Sequence, residues 1–184
     1  MKKLLAGFLL LFVVPLTGCT INVNSQDDTH HMVGENTDLS AADLMFAQMM
    51  IPHHQQAVDL GGIAATRASS PEVLALAKQI ASEQEPEIEL MKSWLGDSQS
   101  ANHMDHDMAM DGMLTEVELE TLKAAKGAEF DRLFLEGMIA HHEGAISMAQ
   151  AVVDSKNSEV AELAASIIES QTKQIQYMKE LLAN

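Results

Sequence analysis

Two stretches of the chain carry apolar residues at the spacing of an amphipathic helix, and each contains a pair of adjacent histidines. The first runs from Ser40 to about Thr66, where apolar side chains recur at alternating steps of four and three residues. The second runs from about Ala128 to Asp154 and repeats the same stripe. The two pairs, His53-His54 and His141-His142, each come one residue after a Met-Ile dipeptide. This pattern indicates an internal duplication.

A second predicted helix follows each of these stretches after a turn. Pro71 suits the first position of a helix that runs to about Leu95, and its counterpart runs from about Ser158 to Leu182. Because one hairpin cannot bury its apolar face alone, two related hairpins predict an all-α four-helix bundle. The stripe positions that are identical in the two helices are Val73/Val160, Ala77/Ala164, Ile80/Ile167, Gln84/Gln171, Ile88/Ile175, Met91/Met178 and Leu95/Leu182.

Capping residues mark the starts of two helices. Ser40 followed by Asp43 is a weak form of the capping box, and Thr115 followed by Glu118 is a complete one. The second motif predicts a short helix to about Lys126, before the second histidine-bearing helix begins.

Glutamine occupies a position in both second helices where a core residue is expected. Gln84 lies about sixteen residues after its hairpin turn and His53 about fifteen before it, so the two reach similar heights in an antiparallel hairpin. The same count brings Gln171 level with His141. We therefore predict one polar layer of His, Gln and Met inside an apolar bundle. The alternative is a histidine–glutamine hydrogen-bonded layer that serves only packing specificity.

The N-terminus has the form of an export signal. Lys2-Lys3 precedes an apolar run from Leu4 to Leu16 that is too short and wrongly flanked to span a membrane. The run ends in Leu16-Thr17-Gly18-Cys19, which resembles a bacterial lipobox, and that pattern implies lipid attachment at Cys19 after cleavage before it. The alternative is an ordinary secretory peptide with an incidental cysteine. Because Cys19 is the only cysteine, an internal disulfide is excluded.

These features predict three parts of the chain: a lipoprotein signal peptide at residues 1–18, a flexible tether at 19–38 and the bundle at 39–184. Within the bundle we expect the first repeat at about 39–96, a Met/His-rich loop at about 97–113 and the second repeat at about 114–184. The protein is expected to be exported and anchored to a membrane surface, in the periplasm or at the cell surface.

The net charge excludes some classes of binding partner but does not identify the partner. The chain carries a formal net charge of −16, and loss of Lys2 and Lys3 with the signal makes the mature part about −18. Such a surface repels nucleic acid and anionic headgroups and attracts cations. A well-solvated exported protein would show the same charge, so the charge favours a metal-binding function without establishing it.

The predicted loop between the repeats is rich in thioether and imidazole groups. Four methionines, two histidines and three aspartates fall within eleven residues there. Thioethers select Cu(I) or similar ions and stay useful where thiols would oxidise. We predict metal capture by this loop, the alternative being a solvated acidic linker. The candidate ligands are His103, Met104, His106, Met108, Met110 and Met113.

The donor types favour copper over other metals. Neither half has the Glu-x-x-His of a di-iron bundle, His-Glu-x-x-His is absent, and a structural zinc site without thiolates is poor. Met50 and Met138 lie one turn before the histidines, so thioether and imidazole share a helix face. Histidine with methionine in an oxidising compartment indicates Cu(I), with Cu(II) also accepted by imidazole and silver as a mimic of Cu(I).

The paired Met-Ile-x-His-His motifs, the glutamine-containing second helices and Phe130-Asp131-Arg132 resemble the bacterial domain-of-unknown-function family 305 over nearly all of Ser40 to Leu182. The resemblance implies a ferritin-like four-helix bundle, with copper binding or copper tolerance outside the cytoplasm, and it implies no catalysis. Carried over by motif, the implied copper ligands are His53, His54, His141, His142, Met50 and Met138, with Gln84 and Gln171 of the predicted layer beside them.

We therefore expect a copper-binding lipoprotein that buffers, stores or hands over copper and exchanges it with an envelope donor or acceptor protein. A homo-oligomer is compatible with the sequence, and no catalytic residues are predicted. Two other functions stay open. One is a metal-independent helical interaction module of the cell envelope. The other is a copper-dependent oxidase, which would need an open coordination position and a substrate cleft.

Overall fold

A computed structural model of the protein describes residues 38–99 and 110–183. The all-α bundle predicted from the sequence is confirmed, and these ranges contain no strand. None of their helices carries an apolar stretch long enough to cross a membrane. The predicted signal peptide, the tether and most of the Met/His-rich loop lie outside the described residues. The helices are α1 (Ala41–Arg67), α2 (Pro71–Gln99), α3 (Glu116–Ala124), α4 (Ala128–Gln150) and α5 (Ser158–Ala183).

Local chemistry sets several of the helix ends. The Ser40 hydroxyl accepts a hydrogen bond from Asp43 N at 3.2 Å, and the Asp43 carboxylate accepts one from Ser40 N at 2.8 Å, which completes a capping box. Thr115 and Glu118 make the same exchange at the start of α3. Gly96, with a φ of 64°, leaves helical geometry within α2, next to the end predicted from the pattern.

The apolar period at the end of α4 continues beyond the helix itself. The period extends to Asp154, whereas α4 ends at Gln150. The N–H groups of Ala151 and Val152 donate to carbonyls three residues back, at 3.2 and 3.1 Å, so the backbone tightens into turns. Val152 stays buried, which explains why the pattern alone overestimates the length of α4. Helix α1 contains Pro52 in its interior and still forms one continuous helix from Ala41 to Arg67.

Each repeat forms a helical hairpin, because α1 packs against α2 and α4 packs against α5. The two hairpins meet mainly through α1 and α4. Two apolar clusters fill the bundle: the first joins the C-terminal half of α1 to the N-terminal half of α4, and the second joins the opposite halves. The helices α1 and α4 are therefore antiparallel. Large side chains are Leu60, Ile80, Phe130 and Phe134 in the first cluster, and Phe46, Met50, Met91 and Ile167 in the second.

A buried aspartate from each hairpin reaches the turn of the other hairpin. The Asp131 carboxylate in α4 accepts hydrogen bonds from Ser69 N at 3.1 Å and Ser70 N at 2.9 Å, in the turn between α1 and α2. The Ser69 hydroxyl donates to the same carboxylate at 2.5 Å. The equivalent Asp43 in α1 lies near Ser155, in the turn between α4 and α5. In both repeats, the aspartate at this position therefore faces the turn of the other hairpin.

Residues Asp111–Leu114 form a short strap that packs on α1 and α4. Gln56 makes two hydrogen bonds to the Leu114 backbone: its Nε2 donates to the carbonyl at 3.0 Å, and its Oε1 accepts from the N–H at 2.8 Å. On α4, Gly144 leaves room for the strap, because a Cβ atom there would overlap the Asp111 carbonyl. A Cβ atom at Gly137 would lie 3.2 Å from the Leu114 side chain. The strap therefore depends on the absence of side chains on one face of α4.

Replacing Gly144 with alanine is expected to destabilise the fold by about 1–3 kcal/mol, since the strap must move to admit the methyl group. Urea unfolding followed by circular dichroism measures this change. Gly62→Ala is the matched control, because Gly62 lies in α1 and a Cβ atom there meets nothing within 4 Å. At that site alanine should add up to about 1 kcal/mol through its higher helix propensity. Equal stabilities for the two variants would contradict the close packing of the strap.

Candidate metal centre

The four histidines form a row where α1 crosses α4, between the two apolar clusters. All four side chains are fully buried, at 0 % exposure. The ring centroids of His53 and His141 are 3.8 Å apart. Each of these rings lies next to the other histidine of its own pair, at 6.5 Å for His54 and 6.2 Å for His142. The four rings are thus neighbours in the order His54, His53, His141, His142, and we call this cluster the histidine row.

Each ring of the row has an oxygen atom beside its Nε2 and no partner for its Nδ1. Carbonyl and carboxylate oxygens can only accept hydrogen bonds, so each Nε2 carries a hydrogen and donates it. All four Nδ1 atoms are buried without a hydrogen-bond partner. The acceptors are Asp111 O for His53 (3.3 Å), Glu87 Oε2 for His54 (2.8 Å), His53 O for His141 (2.9 Å) and Gln174 Oε1 for His142 (2.7 Å).

A carboxylate orients the Gln174 amide. The Nε2 of Gln174 donates to Glu83 Oε2 at 2.8 Å, so its Oε1 is the atom that faces His142. Acting through the amide, Glu83 thereby fixes which nitrogen of His142 carries the hydrogen. The same contact joins α5 to α2 across the bundle.

Burial keeps three of the rings neutral. Burial, and after it the electrostatic effect of the neighbouring His54, lowers the pKa of His53 to about 3. Burial lowers the pKa of His142 to about 4, against the raising effect of its hydrogen bond with Gln174. Burial and then the neighbouring His53 hold the pKa of His141 well below its ordinary value. Near neutral pH, the Nδ1 atoms of these three rings therefore present lone pairs to the core.

The thioethers and amides of the predicted layer are also buried. Met50 and Met138 are fully buried one turn before the histidine pairs, one in each apolar cluster. Both polar atoms of Gln84 and the Oε1 of Gln171 are buried without a hydrogen-bond partner. A buried polar atom left unpaired costs about 1–3 kcal/mol. The unpartnered imidazole nitrogens, with a buried thioether one turn before each histidine pair, fit a bound metal ion.

The described residues do not contain a preformed cage of His, Cys, Asp and Glu ligands. Within residues 38–99 and 110–183, no group of three or more His, Cys, Asp or Glu side chains is placed to hold a metal ion. A metal bound in this geometry would therefore need donors besides these side chains, and thioether is the candidate. Of the predicted loop ligands, Met110 and Met113 are half-buried at the strap, whereas His103, Met104, His106 and Met108, like Cys19, lie outside the described residues.

Sequence reasoning missed the residues that contact the outer histidines. Glu87 and Gln174 lie at equivalent positions of α2 and α5, three residues after Gln84 and Gln171. A spacing of three places them on the same helix face, one turn further on, and this periodicity was the available signal. Asp111 carried no such signal, because its carbonyl reaches the row from 58 residues away in the chain.

A groove of about 520 Å³ separates α2 from α5. Its lining includes Glu83, Lys173, Gln174 and Tyr177. Since Gln174 lines the groove and also contacts His142, it is the side chain that lies between the surface and this end of the buried row.

Comparisons with known proteins agree with the helical fold. The sequence model of a family described as a domain of unknown function, DUF305, matches residues 43–182. A DUF305 protein from Streptomyces coelicolor, provisionally described as secreted, is 34% identical with a TM-score of 0.70, over 77% of this chain and 92% of its own. A DUF305 fragment from Deinococcus radiodurans is 31% identical with a TM-score of 0.71, over 78% and 97%. No curated protein matches the chain.

A protein called CopM, whose structure is known with copper bound, is also similar. Its Cu(I)-bound form is 36% identical with a TM-score of 0.65, over 77% of this chain and 96% of CopM. Its Cu(II)-bound form is 34% identical with a TM-score of 0.64 over the same shares. CopM has further structures in Ag-bound and apo forms.

The stability of the fold is expected to fall as the pH drops below about 6.5, the ordinary histidine pKa. Unfolded histidines take up protons in that range while the buried rings do not. The free energy of unfolding should therefore decrease by roughly 1.4 kcal/mol per pH unit for each of the three shifted histidines. The decrease continues until the pH nears the folded values, about 4 for His142 and about 3 for His53.

Urea unfolding at pH values of about 7.5, 6 and 5 measures this slope, above the range where most carboxylates titrate. His142→Gln is the control variant, and it should remove about one third of the slope because one of the three shifted rings is gone. A stability that stays flat over this range would contradict neutral buried rings.

Proposed function

Since the chain belongs to the DUF305 family, we propose that it is an exported copper-binding lipoprotein that buffers, stores or hands over copper. The ion is held in the histidine row by imidazole and thioether donors, and the Met/His-rich loop captures it. The proposed core ligands are His53, His54, His141, His142, Met50 and Met138.

The unpaired Nδ1 atoms carry this proposal. Every ring of the row has its Nε2 hydrogen committed to a fixed acceptor, which orients the ring and leaves Nδ1 as the ligating atom. Neutral imidazole is the form that binds metals, and burial already keeps three of the rings neutral. Those rings need not lose a proton before they bind an ion near neutral pH.

The donor chemistry and the similar structures both favour copper. Imidazole accepts Cu(I) and Cu(II), while thioether selects Cu(I). Met50 and Met138 give each repeat one buried thioether within a turn of its histidine pair. CopM, similar over 77% of the chain, has structures with Cu(I), Cu(II) and Ag bound. Copper in either oxidation state, with Ag(I) as a mimic, is therefore the proposed cargo.

We assign capture of the ion to the Met/His-rich loop, because the end of this loop contacts the row. The loop leads into the strap, whose Asp111 carbonyl accepts the Nε2 hydrogen of His53. Met110 and Met113 are half-buried at this end. An ion passed along the loop ligands would arrive beside the central histidines. Exchange with an envelope donor or acceptor protein would then take place at the loop rather than in the core.

Export and lipid attachment belong to the same proposal. Leu16-Thr17-Gly18-Cys19 resembles a lipobox, and the similar DUF305 protein of Streptomyces coelicolor is provisionally described as secreted. A lipid on Cys19 would hold the bundle at a membrane surface through residues 19–38. A copper buffer placed there meets the ion outside the cytoplasm.

Copper binding to the mature protein should depend on the central rings. His53→Ala combined with His141→Ala is expected to lower the stoichiometry, or to weaken core binding at least about 100-fold, because two ligating nitrogens are lost. Competition titrations with Cu(I) under anaerobic conditions and with Cu(II) in air measure the effect. Unchanged stoichiometry together with unchanged affinity would contradict the core site. A wild-type protein that ignores copper would favour the metal-independent interaction module.

A second variant guards against loss of folding in the double alanine protein. Met50→Leu with Met138→Leu conserves core volume, so the fold should survive while Cu(I) binding weakens more than Cu(II) binding. Met45→Leu is the matched control, because Met45 is 57% exposed on α1. Equal Cu(I) affinities in the wild type and the double leucine variant would exclude the thioethers as ligands.

Cys19→Ser tests the lipid anchor separately from copper. The variant should still be exported but should leave the membrane fraction, because the lipidated thiol is absent. Fractionation of cell envelopes, with mass spectrometry of the mature N-terminus, measures this. Membrane association that persists in the variant would contradict a Cys19 anchor.

A further inference from the structure

The outer histidines of the row donate to equivalent residues that differ in charge. Glu87 and Gln174 occupy the same position in the two repeats, and each accepts the Nε2 hydrogen of the second histidine of a pair, at 2.8 and 2.7 Å. The buried methionines and the glutamines of the layer are the same residue types in both halves. One end of the row therefore has a carboxylate where the other end has a neutral amide.

A carboxylate acceptor changes how a histidine binds a metal. It draws the Nε2 hydrogen toward itself, so the Nδ1 atom becomes more basic and a stronger donor. Its negative charge also attracts the bound ion, and at one distance the Coulomb attraction for Cu(II) is twice that for Cu(I). The Glu87 side chain is only 17% exposed, so water and salt screen this charge incompletely. Both effects favour the divalent ion at the His54 end.

The opposite end experiences a weaker negative charge. Gln174 is neutral, and the carboxylate nearest to it, Glu83, contacts the amide rather than the His142 ring. Glu83 therefore lies one side chain further from the ring than Glu87 lies from His54. It also lines the groove between α2 and α5. With little added charge, the thioether decides the preference at this end, and thioether selects Cu(I).

From this asymmetry we infer that the two ends of the histidine row differ in oxidation-state preference: the His54 end favours Cu(II) and the His142 end favours Cu(I). Glu87 and Gln174 are the residues that determine the difference, and both act through a histidine. The inference rests on the proposed function, because it requires that the row binds copper.

Glu87→Gln converts the first end into a copy of the second and keeps an acceptor for His54. We expect the variant to lose about tenfold or more of its Cu(II) affinity at one site. Its affinity for Ag(I), used as the Cu(I) mimic, should change much less. Glu85→Gln is the matched control, because it removes the same charge from an exposed position of α2 and should leave both affinities unchanged. Competition titrations with Cu(II) and Ag(I) measure both variants.

The reciprocal variant moves the carboxylate to the other end. Gln174→Glu combined with Glu83→Gln keeps the net charge and keeps a hydrogen bond between the two positions, with donor and acceptor exchanged. We expect Cu(II) affinity at the second end to rise by about tenfold. Circular dichroism and urea unfolding of each variant confirm that the fold is retained.

The outcomes separate this inference from the proposed function. Equal losses of Cu(II) and Ag(I) affinity in Glu87→Gln, or a Cu(II) loss matched by Glu85→Gln, would overturn the oxidation-state difference while copper binding by the row still stood. If the wild-type protein binds neither ion, or if binding survives His53→Ala with His141→Ala, the proposed function itself fails and the inference fails with it.

Discussion

The architecture depends on one constraint: four imidazole rings in a dry core need an acceptor for every ring N–H. An unmet N–H in that position would cost about 1–3 kcal/mol. The acceptors come from four elements, namely the strap, α2, α1 and α5. The row therefore fixes the register of the second helices against the first and the place where the strap packs. The apolar clusters on either side provide the buried apolar contacts of the bundle. The hydrogen bonds of the row determine how the helices align.

The duplicated halves are not equivalent at the centre of the row. His141 donates to the backbone carbonyl of His53, but His53 donates to the carbonyl of Asp111 in the strap. The strap can place its Asp111 carbonyl next to His53 because the two repeats differ at one nearby position. There α1 has Gln56, where α4 has Gly144. One glutamine to hold the strap and one glycine to admit it are both required. The segment that joins the repeats is thus built into the site.

Much of the fold follows from sequence, because helix periodicity and duplication report on the same core. The stripes predicted the four long helices, and the motif Thr115 to Glu118 predicted α3. The glutamines and the histidine pairs predicted buried polar side chains, since polar residues in an apolar stripe are conspicuous, and all six are buried. The contacts of Asp111 could not be predicted, because backbone carbonyls carry no residue signature and a strap can cross many places on a bundle. Glu87 escaped notice because a glutamate on a largely polar helix face is unremarkable until its partner is known.

The aspartates of the two hairpins are placed as the contacts between two identical subunits would be. Asp131 accepts hydrogen bonds from the Ser69-Ser70 turn, and Asp43 lies near Ser155 in the other turn, so the aspartate of each hairpin faces the turn of the other hairpin. Reciprocal contacts of this kind define an isologous interface between two identical subunits. A single ancestral hairpin could satisfy its own turn only by pairing with a second copy. The two hairpins of the chain therefore take the places that the two subunits of a homodimer would occupy.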